Sequence, residues 1–336
     1  MHNLLSSIFL IHALSLAESR RGFCAPNPSV GAVVVKEGRV IGSGCHWAAG
    51  HPHAEVAALA GLTPNETAGA TLYVTLEPCC HWGKTPPCTD LIIQHKIHQV
   101  IYGYQDPNPI VSGKGHQLLL EAGVPCIHVA LPEIDTFYVS YAHWVKTGRP
   151  YVTAKLALSL DGCIAGKNGE PVAITGPVAQ QFTHQQRLRA DAILTTSRTI
   201  CQDDPQLNIR LDNQPIISKT IYILDRHKKV PLSARIFKTG APVILLQDDI
   251  KLPEILDKIG QDGIQDLFVE AGGTCFSQLV KEHLVQRAFI LVAPKWLNGQ
   301  RAFEGDNDIL SHTVQRVWKI LGEDALCEVK YVYGDY

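Results

Sequence analysis

Short apolar runs and helical patterns alternate along this chain. Residues 4–17 form an apolar helical stretch, and residues 29–36 and 39–43 then read as strands joined by a turn at Glu37-Gly38. AEVAALAGL, residues 54–62, holds good helix formers with no breaker before Gly61. Pro52 stands just ahead of it, where a helix start tolerates proline. TLYVTL, residues 71–76, reads as a strand ending at Glu77-Pro78. A helix over 90–96, a strand over 99–102, a helix over 115–122 and a strand over 125–128 follow. KTGRP, residues 146–150, is a short polar break. Beyond it, residues 151–159, 191–195, 221–225, 242–246 and 266–270 are apolar runs, with helical patterns between some of them. One such helix spans 275–282. This alternation predicts an α/β chain whose second part is a mainly parallel sheet with flanking helices. There is no internal repeat and no low-complexity segment.

Length turns that pattern into two domains. At 336 residues the prior is about two, and the break divides residues 1–146 from 150–336. A formal net charge of −2 gives no basic footprint, which excludes a nucleic-acid partner. Residues 4–17 lack a basic leading region and contain His12, so they read as a helix of the fold rather than a secretion signal. No stretch is long and apolar enough to span a membrane. Ten cysteines in a chain this long do not make a disulfide framework; they read as free thiols in a reducing cytoplasm. The sequence leaves a homo-oligomer open.

The chemistry is concentrated at His53-Ala54-Glu55, Pro78-Cys79 and Cys88. A His, a Glu two residues on, and a downstream Pro-Cys with a second Cys is the pattern of a zinc-dependent deaminase of nucleobase-like rings. Catalytic zinc takes three protein ligands and leaves a fourth position for water, whose pKa it lowers to roughly 7. His53 supplies a nitrogen, and Cys79 and Cys88 supply thiolates. Glu55 is placed to move protons between water, ring and leaving ammonia. A structural zinc site, or buried free cysteines, is the bland alternative. Cys80 and His81 compete as ligands, because the insert CHWGKTPP separates Cys79 from Cys88 where the common spacing is Cys-x-x-Cys.

That insert carries a more specific likeness. EPCCHWGKTPPCTD, APNPSVG, GHPHAE and QDPNP with Gly113-Lys114-Gly115 resemble the bifunctional deaminase/reductase family of riboflavin biosynthesis. KLALSLDG, Asp203-Asp204-Pro205 and VEAGG resemble its reductase part, so the likeness runs over nearly the whole chain in the family's order. It implies a cytidine-deaminase-like three-layer α/β/α sandwich followed by a dihydrofolate-reductase-like α/β domain. It implies zinc on His53, Cys79 and Cys88, with Glu55 as proton shuttle and Cys80 at a position usually serine. Asn27, His46 and Lys84 would hold the deaminase substrate, a pyrimidine ribosyl phosphate, with Lys84 suited to phosphate.

The second site begins from Glu270-Ala271-Gly272-Gly273-Thr274, at the end of a strand and the start of a helix, where backbone can approach an anion. No GxGxxG fingerprint is present. The resemblance implies NADPH here. Ala157, Ala173, Thr199, Asp203, Gly272, Gly273 and Thr274 would bind the cofactor. Lys155, Pro171, Arg187, Leu207, Arg210 and Glu270 would bind the substrate, whose ribose is reduced to a ribityl chain. Asp161 would help Lys155 orient the sugar. The segment GEPVAIT, residues 169–175, departs from the family: Pro171 and Ala173 stand where a serine and a tryptophan are usual. Gln286-Arg287 likewise replaces a usual acidic pair. Three alternatives follow: a deaminase whose second domain is catalytically impaired, a tRNA-adenosine-type base editor, and a zinc-bound regulator without activity. Near-neutral charge and the added domain argue against the second.

Overall fold

GAVVVK, the strand at Gly31–Lys36, is apolar on both faces and must be covered on both sides. A computed structural model, which describes residues 2–82, 86–303 and 313–333, shows how. The chain divides into two units, Met1–Gly148 and Arg149–Tyr336.

In chain order the first unit runs α1 (His2–Glu18), β1 (Gly31–Lys36), β2 (Arg39–Cys45), α2 (Ala54–Leu59), α3 (Pro64–Thr67), β3 (Thr71–Val74), α4 (Cys88–Gln94), β4 (Gln99–Tyr102), α5 (Lys114–Glu121), β5 (Cys126–His128) and α6 (Pro132–Thr147). The sheet order is β2-β1-β3-β4-β5, with β1 antiparallel to both neighbours and β3, β4 and β5 parallel. Alternation along β1 sorts the layers. Val33 and Val35 pack with Leu10, Leu14, Ile134 and Phe137 of α1 and α6. Ala32 and Val34 pack with Ala54 and Leu59 of α2, Ile92 of α4 and Leu119 of α5. Each buried Val, Leu, Ile or Phe side chain among them contributes about 1.5–3 kcal/mol. The N-terminal apolar stretch is thus one layer of the sandwich, and no helix among the described residues is long and apolar enough to cross a membrane.

The helix expected over 54–62 stops at Leu59. Gly61 takes a left-handed φ of 78°, and Thr63 restarts the chain as N-cap of α3, with Glu66 completing a capping box.

The second unit runs β6 (Tyr151–Ser159), β7 (Cys163–Ala165), α7 (Pro177–Arg189), β8 (Ala192–Thr196), α8 (Ser197–Asp203), β9 (Thr220–Leu224), β10 (Val243–Leu246), α9 (Leu252–Gln261), β11 (Asp266–Glu270), α10 (Gly273–Lys281), β12 (Arg287–Ala293), β13 (Gln300–Arg301), β14 (Thr313–Leu321) and β15 (Asp324–Tyr331). The large sheet has the order β10-β9-β8-β11-β6-β12-β15-β14, parallel as far as β12. The antiparallel hairpin β14–β15 closes one end, an element the sequence pattern did not announce. Val152, Ala154 and Leu156 face α9 and α10, while Ile193, Ile221 and Ile223 pack on the other side with Ile200 of α8. Helix α10 starts at Gly273, earlier than the expected residue 275, so the two glycines are its N-cap and first turn.

Candidate active sites

In the first unit, His53 is the N-cap of α2 and Cys88 the first residue of α4, while Cys79 lies in the loop after β3. These elements bring the three side chains together. His53 Nδ1 lies 3.3 Å from Cys88 Sγ and 3.5 Å from Cys79 Sγ. The three donor atoms all lie within 4.8 Å of one another. Zn–S bonds of about 2.3 Å and Zn–N bonds of about 2.0–2.1 Å, set tetrahedrally, place such donors about 3.5 Å apart. The donor set and its spacing therefore fit zinc, with a fourth position left over. Cys80 and His81 are not part of the cluster.

The electrostatics favour one of the two thiols as thiolate. A hydrogen bond from Cys88, reinforced by His53, pulls the Cys79 thiol down to about 4, and Cys88 as donor is pushed up. The bond to Cys79 also raises His53. Glu55, in the first turn of α2 and only 4% exposed, is pushed up to about 7 by burial and then by the Cys79 charge. A carboxyl poised there suits proton transfer at neutral pH.

His46 is buried with its ring edge-on to His53, centroids 5.7 Å apart. Its Nδ1–H donates to Pro52 O at 3.0 Å, leaving Nε2 to accept from Asn27 Nδ2 at 3.1 Å. Burial lowers its pKa, which favours this neutral form. Asn27 and His46 are thus joined beside the ligand set. Lys84 lies outside the described residues.

The second unit holds a cavity of about 1180 Å³. Parallel strands β6, β8 and β11 deliver its residues at their carboxyl ends, the usual ligand position in open α/β sheets. Lys155 and Ala157 come from β6, Thr199 and Asp203 from α8, and Pro171 and Ala173 from the loop before α7. Glu270 ends β11, and Gly272, Gly273 and Thr274 open α10. Gly273 has no room for a side chain, since a Cβ there would lie 1.7 Å from Ala302 O. The bare backbone and helix N-terminus fit the pyrophosphate of a dinucleotide.

Arg187 and Leu207 also border the cavity. Arg187 donates through Nε and Nη2 to the two Glu270 oxygens, the latter at 3.0 Å, and through Nη1 to Asn208 O at 2.8 Å. Burial opposes ionisation of Glu270, but Arg187 beside it holds its carboxyl below the usual range. Burial lowers Lys155, and Glu270 partly offsets this. Arg210 does not line the cavity; its Nη1 donates to Gln206 Oε1 at 3.2 Å and Asn208 Oδ1 at 2.8 Å. Both guanidinium groups are thus held on Asn208, Arg187 by its backbone O and Arg210 by its Oδ1. Asp161 does not line the cavity either. Its carboxylate accepts from Ser159 Oγ (2.6 Å), Leu297 N (3.1 Å) and Asn298 N (2.8 Å), which anchors the loop after β12. Lys295 of that loop donates to Ala173 O at 2.6 Å and so ties down a wall of the cavity, a contact no sequence signal indicated.

Comparison with known proteins matches both units. The family described as the cytidine and deoxycytidylate deaminase zinc-binding region matches residues 6–104, and the RibD C-terminal domain matches residues 150–325. The riboflavin biosynthesis protein RibD of Aquifex aeolicus is 39% identical over 325 residues, covering 89% of each chain. Its namesake from Escherichia coli is 34% identical, over 86% of this chain and 88% of its own. A solved diaminohydroxyphosphoribosylaminopyrimidine deaminase/5-amino-6-(5-phosphoribosylamino)uracil reductase from Thermotoga maritima is 32% identical, with a TM-score of 0.89 over 99% of this chain and 100% of that one.

Proposed function

This chain belongs to the RibD family of riboflavin biosynthesis proteins, and on that premise we propose the substrate and the residue roles of its two sites. It is a bifunctional enzyme, a zinc-dependent deaminase joined to an NADPH-dependent reductase. The substrate is a diaminopyrimidinone ribosyl phosphate, deaminated on the ring in the first unit and reduced at the ribose in the second. One observation carries the reading: His53, Cys79 and Cys88 meet at ligand spacing with Glu55 buried beside them.

Zinc, when bound, supplies Lewis acidity that makes water nucleophilic near pH 7. Water replaces the ring amine, giving a carbonyl and ammonia. Glu55 carries one proton of the attacking water to the ring nitrogen, then carries the second, from the added hydroxyl, to the departing amine as the carbonyl forms. His46, kept neutral by its two hydrogen bonds, and Asn27 orient the ring. Lys84 takes the phosphate.

NADPH, when bound, supplies a hydride. The opened ribose presents a C=N bond, and its reduction by hydride plus a proton gives the ribityl amine. Gly272, Gly273 and Thr274 hold the pyrophosphate, with Thr199 and Asp203 of α8 bordering the same cavity. Lys155, beside Glu270, orients the sugar chain so that the reacting carbon meets the hydride donor. Arg187 keeps Glu270 ionised and fixed. Pro171 and Ala173 complete the wall without a hydroxyl or an indole. Ten cysteines in a chain of 336 residues suit a reducing cytoplasm.

The Glu55→Gln variant tests the first site. Ammonia release is expected to fall by about 10²–10⁴-fold. Zinc content, and NADPH oxidation with deaminated substrate, should stay unchanged. Ammonia release at the wild-type rate would remove Glu55 from the reaction.

A further inference from the structure

Glu77 is a buried carboxylate to which the reaction above gives no role. It is 3% exposed, and no Lys, Arg or His forms an ion pair with it among the described residues. Its oxygens accept backbone N–H groups instead. Oε2 takes Gly113 N at 2.9 Å and Asp106 N at 3.4 Å, and Oε1 takes His116 N at 3.1 Å. Gly113 is the N-cap of α5 and His116 lies in its first turn, so the charge sits at the positive end of that helix.

The same segment presses on the turn that carries a zinc ligand. A Cβ on Gly115 would lie 2.0 Å from Pro78 O and 3.5 Å from Glu77 Oε1. Glu77 N donates to Tyr104 O at 2.9 Å, and Tyr141 OH donates to Asp106 Oδ1 at 3.1 Å. Residues 104–116 are therefore folded around Glu77-Pro78, and Cys79 comes next. Cys79 lies in a loop, unlike His53 at the start of α2 and Cys88 at the start of α4. On its far side the first N–H groups of α4 reach it, Thr89 N donating to Cys79 O at 3.3 Å and Cys88 N to Cys79 Sγ at 3.4 Å.

We infer that Glu77 is the positioning residue of the zinc centre: its carboxylate, gripped by the first N–H groups of α5 and the loop before it, fixes the Pro78-Cys79 turn so that Cys79 Sγ meets His53 and Cys88 at ligand spacing. The inference rests on the zinc-deaminase reading. It differs from a general packing role because it predicts an effect on the metal and on turnover, with the second unit untouched.

Two variants of the full chain test it, Glu77→Gln and Gly115→Ala. The first replaces the all-acceptor carboxylate with an amide that turns N–H toward N–H. The second changes no charge and pushes on the Pro78 carbonyl. Zinc release to the chromogenic chelator pyridylazoresorcinol is expected to be about 10–100-fold faster in Glu77→Gln, and faster also in Gly115→Ala. The thiolate-to-metal absorption of the cobalt-substituted protein should shift in both. Deaminase kcat should fall with KM unchanged, and NADPH oxidation on deaminated substrate should hold. Zinc release and a cobalt spectrum like wild type in Glu77→Gln would overturn the role of Glu77, whatever happens to kcat or to Gly115→Ala. If Glu77→Gln does not fold, Glu77→Asp, whose shorter carboxylate cannot reach the same N–H groups, decides by the same two readouts. A wild-type protein that retains no zinc would instead overturn the zinc reading itself.

Discussion

His184 sits behind the Arg187–Glu270 pair, its Nδ1 accepting from Arg210 N at 3.2 Å and lying 3.5 Å from Arg187 Nη1. Burial, and then the two neighbouring guanidinium groups, push its pKa down from 6.5 to about 4. The unfolded chain therefore binds the proton first as pH falls. The stability His184 contributes is complete above about pH 6.5 and is lost as pH drops toward about 4. A His184→Gln variant should be less stable than wild type near neutrality, with the gap shrinking by about 2–3 kcal/mol on acidification. Urea unfolding of the second unit at about pH 7.5 and about pH 4.5 measures this, and a gap independent of pH would contradict it. Single residues also show what a sequence can reveal. His53, Glu55, Cys79 and Cys88 were legible because few residue types ligate zinc and their order is distinctive. Glu77 was not, since its three partners lie 29, 36 and 39 residues downstream. Arg187 was expected at the substrate by resemblance alone, whereas its carboxylate partner is 83 residues away and only the fold brings the two together.

Among the elements, buried parallel strands were the easiest to read. Residues 151–159 and 266–270 appear as β6 and β11 with the expected bounds, because a strand covered on both faces is a continuous apolar run. The hairpin β14–β15 was harder. Trp318 and Ile320 of β14 are 63% and 76% exposed, so the strand lacks the one-sided apolar signature. The start of α10 depended on a contact rather than a propensity. Gly273 lies in the helix because the Ala302 carbonyl leaves no space for a Cβ. Gly273→Ala should then destabilise the second unit by about 1–3 kcal/mol and weaken NADPH binding. Chemical unfolding and a fluorescence titration with NADPH would report both effects. Wild-type stability and affinity in this variant would mean that the first turn of α10 adjusts freely.

At the scale of the whole chain, two units carry two kinds of chemistry. The first holds a metal-ligand set built on helix starts and a clamped loop; the second holds a dinucleotide-sized cavity at strand ends. The fold class follows the sequence expectation, a deaminase-type sandwich and then a mainly parallel reductase sheet. Pro171 and Ala173 are the departures that matter most. They border a cavity in which Lys155, Glu270, Asp203 and the α10 glycines are all in place, with Lys295 bracing the Ala173 carbonyl. The central claim is that both reactions run in sequence on one substrate, and a mass-spectrometric time course tests it most directly. Zinc-loaded protein would receive the diaminopyrimidinone ribosyl phosphate with and without NADPH. The predicted result is exchange of an amine for a carbonyl oxygen in both samples, followed by a gain of two hydrogens only where NADPH is present. Amine loss with no hydrogen gain would contradict the reductase assignment, and an unchanged mass in both samples would contradict the substrate itself.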